Sequence, residues 1–523
     1  MTASRLASGG RVRWMICLLL FVVMTINYVD RNALSVLKTT LQRPAAAGGL
    51  GFSDADYGWI TFAFTTAYAA FPSMVGTLID RLGVKASLAG ALALWSLAAA
   101  AHGLVSSVLG FVVVRFLLGL AESANFPAAI KAVAMWFPQK ERALATGLFN
   151  AGTALGVIAS PLTVWIAASY GWSLAFIMVG GIGLLMLVVW LRGFDAPQDS
   201  PRLSVGELAY IEAGQPPAPQ VRRPPWIALM RCREIWPFLL GKLITDPVWW
   251  FFLFWLPSYL DRERGQNPLK SAGLVALIYA GSSVGSIAGG WFSGFLIRRG
   301  WSVGRARMSA MGLAAVCMPG CVFAYYTHSF VLCVALITLA TACHQAWSAN
   351  LLTSATDLFP ADVSGAVVGL GATAGGIGGM FVTLLAALAV QWTGNQQAVF
   401  LYAGIAHLSC LALFWFWFRG EFHQVRIATE AGSLTLAHRP LLTAGTCLGL
   451  AGIALVALIA DNWGVCLAAA GLSGASQAAT AAVGIGIIGA VLLFAGWPRR
   501  SLRSAGIVHP EPAGKESNGA KPS

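Results

Sequence analysis

Charged side chains stand at a few places inside long apolar runs of this sequence, and any chemistry must lie there. Asp30 and Arg31 end the first run, and Arg115 and Glu122 lie in the fourth. The latter are seven residues apart, about two helical turns, so a helix presents both on one face. Lys242 and Asp246 form a one-turn pair in the seventh run, and His344 lies in the tenth. In hydrocarbon such groups are costly and face the protein interior or a water-filled path. A fixed cation there attracts a carboxylate, which arginine holds with a bidentate fork. A carboxylate there can load and unload a proton where burial disfavours its charged form. Together they suit the movement of a small organic anion coupled to protons. Import of an anion against an inside-negative potential costs about 2.3 kcal/mol per charge per 100 mV, which co-transported protons offset. Glu122 and Asp30 are placed to carry the protons, and Arg115 to modulate Glu122.

Each group also has a structural reading. Asp30 could pair with Arg31 or cap a broken helix, and Arg115 with Glu122 could form a static interhelical bridge. Lys242 and Asp246, near a span end, could snorkel. A solitary His344 would favour a satisfied core histidine. Against that, the offset that aligns the two halves of the chain sets His344 opposite Glu122.

These groups are positioned by apolar elements. Of 523 residues 57% are hydrophobic and only 11% charged, and mean hydropathy is +0.71. A soluble chain carries roughly 25% charged residues, so lipid must be the outer solvent. Runs of about 20 residues, enough to cross a hydrocarbon core, fall near 14–36, 57–79, 86–106, 108–130, 143–167 and 172–192. Six more follow near 236–260, 272–297, 307–327, 329–352, 363–392 and 398–418, with two extra near 441–460 and 477–497. The expected organisation is all-α and polytopic. It comprises an N-terminal six-helix bundle (1–192), a cytoplasmic linker (193–235), a C-terminal six-helix bundle (236–418), a second linker (419–440), a peripheral two-helix hairpin (441–497) and a disordered cytoplasmic tail (498–523).

The net charge of +13 sits mostly in short loops, as in Arg81 and Lys85, Lys140 and Arg142, Arg222 and Arg223, and Arg298 to Arg307. That pattern marks cytoplasmic loops and puts both termini in the cytoplasm; the acidic loop Asp357 to Asp362 is an exception. No basic stretch is interleaved with exposed aromatics, so nucleic acid is not an expected partner. Arg5, Arg11 and Arg13 precede an apolar run without a small-residue cleavage site, read as an uncleaved first span. The nine cysteines form no CxxC pair with ligand-like partners, so neither metal nor cofactor is expected.

The halves repeat. Gly76-Thr-Leu-Ile-Asp80-Arg81 follows the second span as Gly294-Phe-Leu-Ile-Arg298-Arg299 follows the eighth. An offset of about 222 residues pairs Phe137-Pro138 with Phe359-Pro360, Gly147 with Gly369 and Gly156 with Gly378. Parallel halves are a transporter signature, with the substrate site at the midplane between them. Asp80 could accept from a helix N-terminus or an arginine across the gate.

The stretch Gly76 to Lys85, including Gly83, is similar to the signature loop of the major facilitator superfamily. Tyr28-Val-Asp30-Arg31-Asn-Ala-Leu-Ser35 and Arg115-Phe-Leu-Leu-Gly-Leu-Ala-Glu122-Ser-Ala-Asn-Phe-Pro127 resemble the first and fourth spans of its anion:cation symporter family. Thr245-Asp246-Pro-Val-Trp249-Trp-Phe-Phe252 and His344-Gln345-Ala-Trp-Ser-Ala-Asn350-Leu351 resemble bacterial hexuronate transporters. The resemblance covers about Arg13 to Arg419. It implies two six-helix halves and a monomeric, proton-coupled importer of a sugar acid in the bacterial inner membrane, driven by the proton gradient. It implies Asp30 and Glu122 as proton sites and Arg115 acting on Glu122. It also implies Arg31, Tyr68, Trp249, His344, Gln345 and Asn350 at the substrate, with Asn150 or Thr153 from the fifth span. Gly76, Asp80, Arg81 and Gly83 would form the cytoplasmic gate. The second-half copy has Arg298 where Asp80 stands, so its gate cannot be identical. Rival readings are a symporter of an aldonate, aldarate or aromatic carboxylate, a sensor, and a membrane enzyme. No HExxH motif supports an enzyme, and the short loops leave no signalling domain.

Overall fold

The computed structural model describes residues 10–215, 229–230, 232–265, 268–393, 395–418, 422, 426–427 and 507–508. The expected hairpin at 441–497 lies outside the described residues. The N-terminal half comprises α1 (Val12–Gln42), α2 (Asp54–Ala70), α3 (Pro72–Leu82), α4 (Val84–Ala101), α5 (Val108–Glu122), α6 (Asn125–Trp136), α7 (Gln139–Tyr170) and α8 (Trp172–Gly193). A linker helix, α9 (Val205–Ala213), precedes the second half. That half has α10 (Ile235–Arg262), α11 (Pro268–Arg298), α12 (Val303–Cys317), α13 (Gly320–Tyr326), α14 (Phe330–Leu358), α15 (Ser364–Thr393) and α16 (Gln397–Phe418). Arg426–Ile427 and Ile507–Val508 form a two-residue antiparallel pair.

Among the described residues ten spans are long and apolar enough to cross a membrane, and the bent pair α2–α3 makes an eleventh. Helix α10, the first of the second half, stands where the seventh span is expected. Large apolar side chains such as Leu109, Leu185, Val316 and Phe416 point outward and exposed, as a lipid-facing surface requires. Three spans arrive as two helices, each break beside a proline. Pro72 has no amide to bond the carbonyl of Tyr68, and α2 and α3 meet at 50° there. Pro127 and Pro319 stand likewise at the α5–α6 and α12–α13 breaks. Gly83, at φ +83°, turns α3 into α4 through a backbone region closed to most side chains.

The repeat seen in the sequence has a packing cause. A Cβ on Gly147 of α7 would stand 2.3 Å from the Ser286 carbonyl oxygen of α11, and one on Gly369 of α15 would stand 2.2 Å from that of Pro72 in α3. The paired glycines thus let backbones of opposite halves touch at two equivalent seams. Gly156 faces Thr25 and Tyr28 of α1, and its partner Gly378 faces Leu243 and Pro247 of α10. Equivalent glycines therefore seat the first helix of each half.

The stretch expected as a linker contains a docked helix. Ser204 caps α9 by accepting from the Glu207 amide, and Glu207 and Ile211 are buried. Arg13 donates to Glu207 at 3.0 Å and to Glu141 at 2.9 Å, and Tyr210 donates to Glu141 at 2.6 Å. The linker helix is thereby tied to the ends of α1 and α7.

Candidate functional site

A cavity opens where the halves face each other. Tyr28, Arg31, Tyr68, Phe126 and Asn150 line it from the first half. Lys242, Asp246, Trp249, Trp250, His344, Gln345, Ser348, Leu352, Val368, Ala372 and Gly376 line it from the second. Two cations, Arg31 and Lys242, and one carboxylate, Asp246, stand in a wall otherwise built of aromatic rings, polar side chains and small or aliphatic groups.

Arg31 dominates the first-half wall. Its Nε and Nη2 each lie 2.9 Å from Glu122 Oε2, and Nη2 also reaches Asn27 Oδ1 at 3.4 Å. The guanidinium sits over the rings of Tyr28 at 4.6 Å, Phe64 at 5.4 Å and Tyr68 at 4.4 Å, so it is held by cation–π contact as well as charge. Glu122 is fully buried behind Arg31, off the cavity surface. Its other oxygen, Oε1, and both oxygens of neighbouring Asp30 have no hydrogen-bond partner among the described residues. A buried carboxylate without donors is costly as an anion, and a proton removes that cost.

Arg115 stands further back. It donates to the Arg31 carbonyl at 3.2 Å and lies over Phe64. No ion pair joins it to Glu122 among the described residues, although both Glu122 and Asp30 are within its coulombic reach. The bridge expected between Arg115 and Glu122 is instead made by Arg31, whose guanidinium reaches from α1 to the last residue of α5. The structural alternative of an Asp30–Arg31 pair is likewise not what the geometry shows.

In the second half Lys242 Nζ lies 2.5 Å from Asp246 Oδ2 in the cavity wall. His344 stacks on Trp249 with ring centroids 5.7 Å apart, and its Nδ1 is 3.1 Å from Nε2 of His407 on α16. His344 is therefore not solitary. Sequence reasoning missed His407, whose only signal was a titratable residue within an apolar run. Asn150 donates to Gln345 at 2.7 Å and to Ser286 at 3.2 Å, joining the halves across the cavity. Of the two fifth-span candidates, Asn150 lines the cavity and Thr153 does not. Asn350 also lies off the cavity, donating to the carbonyls of Gly289 and Ala346.

On the side that carries the linker the halves are latched twice. Asp80 accepts from the amides of Gly365 at 3.1 Å and Ala366 at 2.7 Å, and from Lys131 at 2.5 Å. The first turn of α15 is thus capped by a carboxylate from the other half. The cation is Lys131, not an arginine; Arg81 is exposed. Asp357 forms the second latch, accepting from Arg307 at 2.9 Å and from Arg142 at 3.5 Å. Arg142 also bonds Gln215 beyond α9. Asp357, from the acidic stretch that departed from the charge pattern, is the buried counter-ion of this latch.

A Cβ at Gly76 would stand 2.2 Å from the Gly365 carbonyl oxygen. Gly76→Val is therefore expected to part α3 from α15 and reduce uptake about tenfold, the effect of ~1.4 kcal/mol on the closed state. Vesicle uptake at matched protein levels measures it; native uptake would mean that the backbones need not touch.

Gly281-Ser282-Ser283-Val284-Gly285 matches the spacing of a nucleophile elbow. It lies inside α11, where Gly281 and Gly285 pack on Thr338 and Ala342 and Ser283 donates to carbonyls of α7 and α11. It packs helices and has no strand-to-helix turn.

The D-galactonate transporter of Escherichia coli O6:H1 is 28% identical over 420 residues, 78% of this chain and 96% of that one. The hexuronate transporter of Escherichia coli K12 is 30% identical over 389 residues, 72% of this chain and 86% of that one. In fold, the chain is similar to the proton:xylose symporter XylE bound to 6-bromo-6-deoxy-D-glucose, with a TM-score of 0.61 at 13% identity over 77% of this chain and 95% of that one. Residues 20–383 match the Major Facilitator Superfamily family, a stretch that reaches into both halves and takes in every residue lining the cavity, and the chain therefore belongs to that superfamily.

Proposed function

We propose that this membrane transporter imports a six-carbon sugar acid, a hexuronate such as galacturonate or glucuronate, together with protons by alternating access. The observation that carries the reading is Arg31, a cavity-wall cation whose two nearest donors are both occupied by Glu122. While Glu122 is ionised it competes with any substrate carboxylate for the same guanidinium. Once Glu122 takes a proton, Arg31 is free to hold the substrate anion, so proton and anion load together. Asp30, buried beside it without a donor among the described residues, is the second proton carrier. Tyr68 beneath the guanidinium, with Asn150, Gln345 and Trp249, supplies the apolar face and hydrogen-bonding groups that suit a sugar ring.

The closed latches at Asp80 and Asp357 lie on the linker side, which the basic loops assign to the cytoplasm of a bacterial inner membrane. This arrangement is then the one that loads from outside, and opening requires Asp80 to release the end of α15. The names of the two sugar-acid relatives support the substrate class. Uptake of labelled galacturonate into proteoliposomes tests it, with unlabelled glucuronate, galactonate and neutral galactose as competitors. Glucuronate is expected to compete and galactose not to; equal inhibition by galactose would remove the anion from the reading.

A further inference from the structure

Each half contributes a cation–carboxylate pair, yet the sugar-acid reading uses only one of them. Lys242 and Asp246 face the cavity from α10, 2.5 Å apart, opposite the half that holds Arg31 and Glu122. A pair needed only to bridge helices would join two elements; this one lies within a single helix and latches nothing. The backbone of α15 is cut away to admit it, since a Cβ on Gly375 would stand 2.1 Å from Asp246 Oδ2. Asp246 in turn occupies the ammonium of Lys242, the one that the second half offers the cavity among the described residues.

We propose that Lys242 and Asp246 form a second, proton-gated anion subsite, which lets the cavity carry a dicarboxylate sugar acid as well as a monocarboxylate. The proposal rests on the reading of the cavity as a sugar-acid site. When Asp246 takes a proton from the open side it becomes a neutral carboxylic acid, and Lys242 keeps its ammonium charge and turns to the ligand's second carboxylate. The added negative charge of the dianion is matched by the added proton, so both loaded states carry the same net charge. A dicarboxylate therefore travels with one proton more than a monocarboxylate. From α14, His344 lies within coulombic reach of Lys242; from α16, Tyr402 and Cys410 lie within that of Asp246. Helix α11 meets α10 through Tyr279 on Trp249, and α15 offers the Gly375 backbone. None of these brings a competing fixed charge, so Asp246 governs the subsite.

The test uses the full chain in proteoliposomes with labelled galactarate and labelled galacturonate. The native protein is expected to bind both, galactarate with the steeper dependence on pH. Lys242→Met combined with Asp246→Asn, which keeps the wall neutral, is expected to lower the galactarate-to-galacturonate affinity ratio at least tenfold. Lys242→Arg should restore that ratio to within about threefold of native. Asp246→Asn alone should bring the pH dependence of galactarate binding down to that of galacturonate. An unchanged ratio in the double variant, or native protein that binds galacturonate but not galactarate, would overturn the subsite. Binding of neither acid would overturn the sugar-acid reading and this proposal with it.

Discussion

Replacement of Glu122 by Gln is expected to abolish proton-driven accumulation while leaving exchange of substrate across the membrane measurable. The amide keeps the size of the carboxylic acid and can still accept from Arg31, but it can neither take up nor release a proton. Arg31 is then permanently in the state that a proton on Glu122 would create. Each proton carried down a gradient of one pH unit is worth about 1.4 kcal/mol, a tenfold concentration ratio. Native protein should hold substrate at least about tenfold above the medium under such a gradient, and Glu122→Gln should only equilibrate it. Counterflow with preloaded vesicles separates lost coupling from lost binding. Loss of counterflow would make Glu122 a substrate or structural residue, and native accumulation would remove it from coupling.

Replacement of Arg31 by Ala is expected to weaken substrate binding about a hundredfold. Two charge-assisted hydrogen bonds at roughly 1.5 kcal/mol each give that factor. The variant also strands Glu122 in the interior, which can destabilise the fold on its own. Arg31→Ala combined with Glu122→Gln removes both charges and should still bind about a hundredfold more weakly than Glu122→Gln alone. Arg31→Lys should fall between, because a point charge cannot form the two-pronged contact and covers the Tyr28 and Tyr68 rings less well. Titration of intrinsic tryptophan emission, with Trp249 and Trp250 in the cavity wall, measures the affinities. Native affinity in the double variant would take Arg31 out of the site.

What the sequence could show, and what it could not, divides along local and tertiary causes. Spans were legible because crossing a bilayer demands apolar length; the breaks beside Pro72, Pro127 and Pro319 were not, because each proline stands inside a continuous apolar run. Glycines 147 and 369 were legible as a pair because both halves make the same backbone approach. The partner of Glu122 was not. Spacing on one helix pointed to Arg115, but tertiary packing decides which cation arrives, and α1 delivers Arg31. Helix direction likewise separates Asn150 from Thr153 and takes Asn350 out of the wall. Lys131, Arg307 and Asp357 sit near span ends, where a charge reads as an ordinary loop residue. Only the packing of opposite halves turns them into buried latches. His407 gains meaning only from its bond to His344.

The central claim is that proton and anion share one cation. It is tested most directly by uptake of labelled galacturonate into proteoliposomes with and without an imposed inward proton gradient. The account predicts accumulation above the external concentration with the gradient and simple equilibration without it. The same final level in both conditions would contradict it.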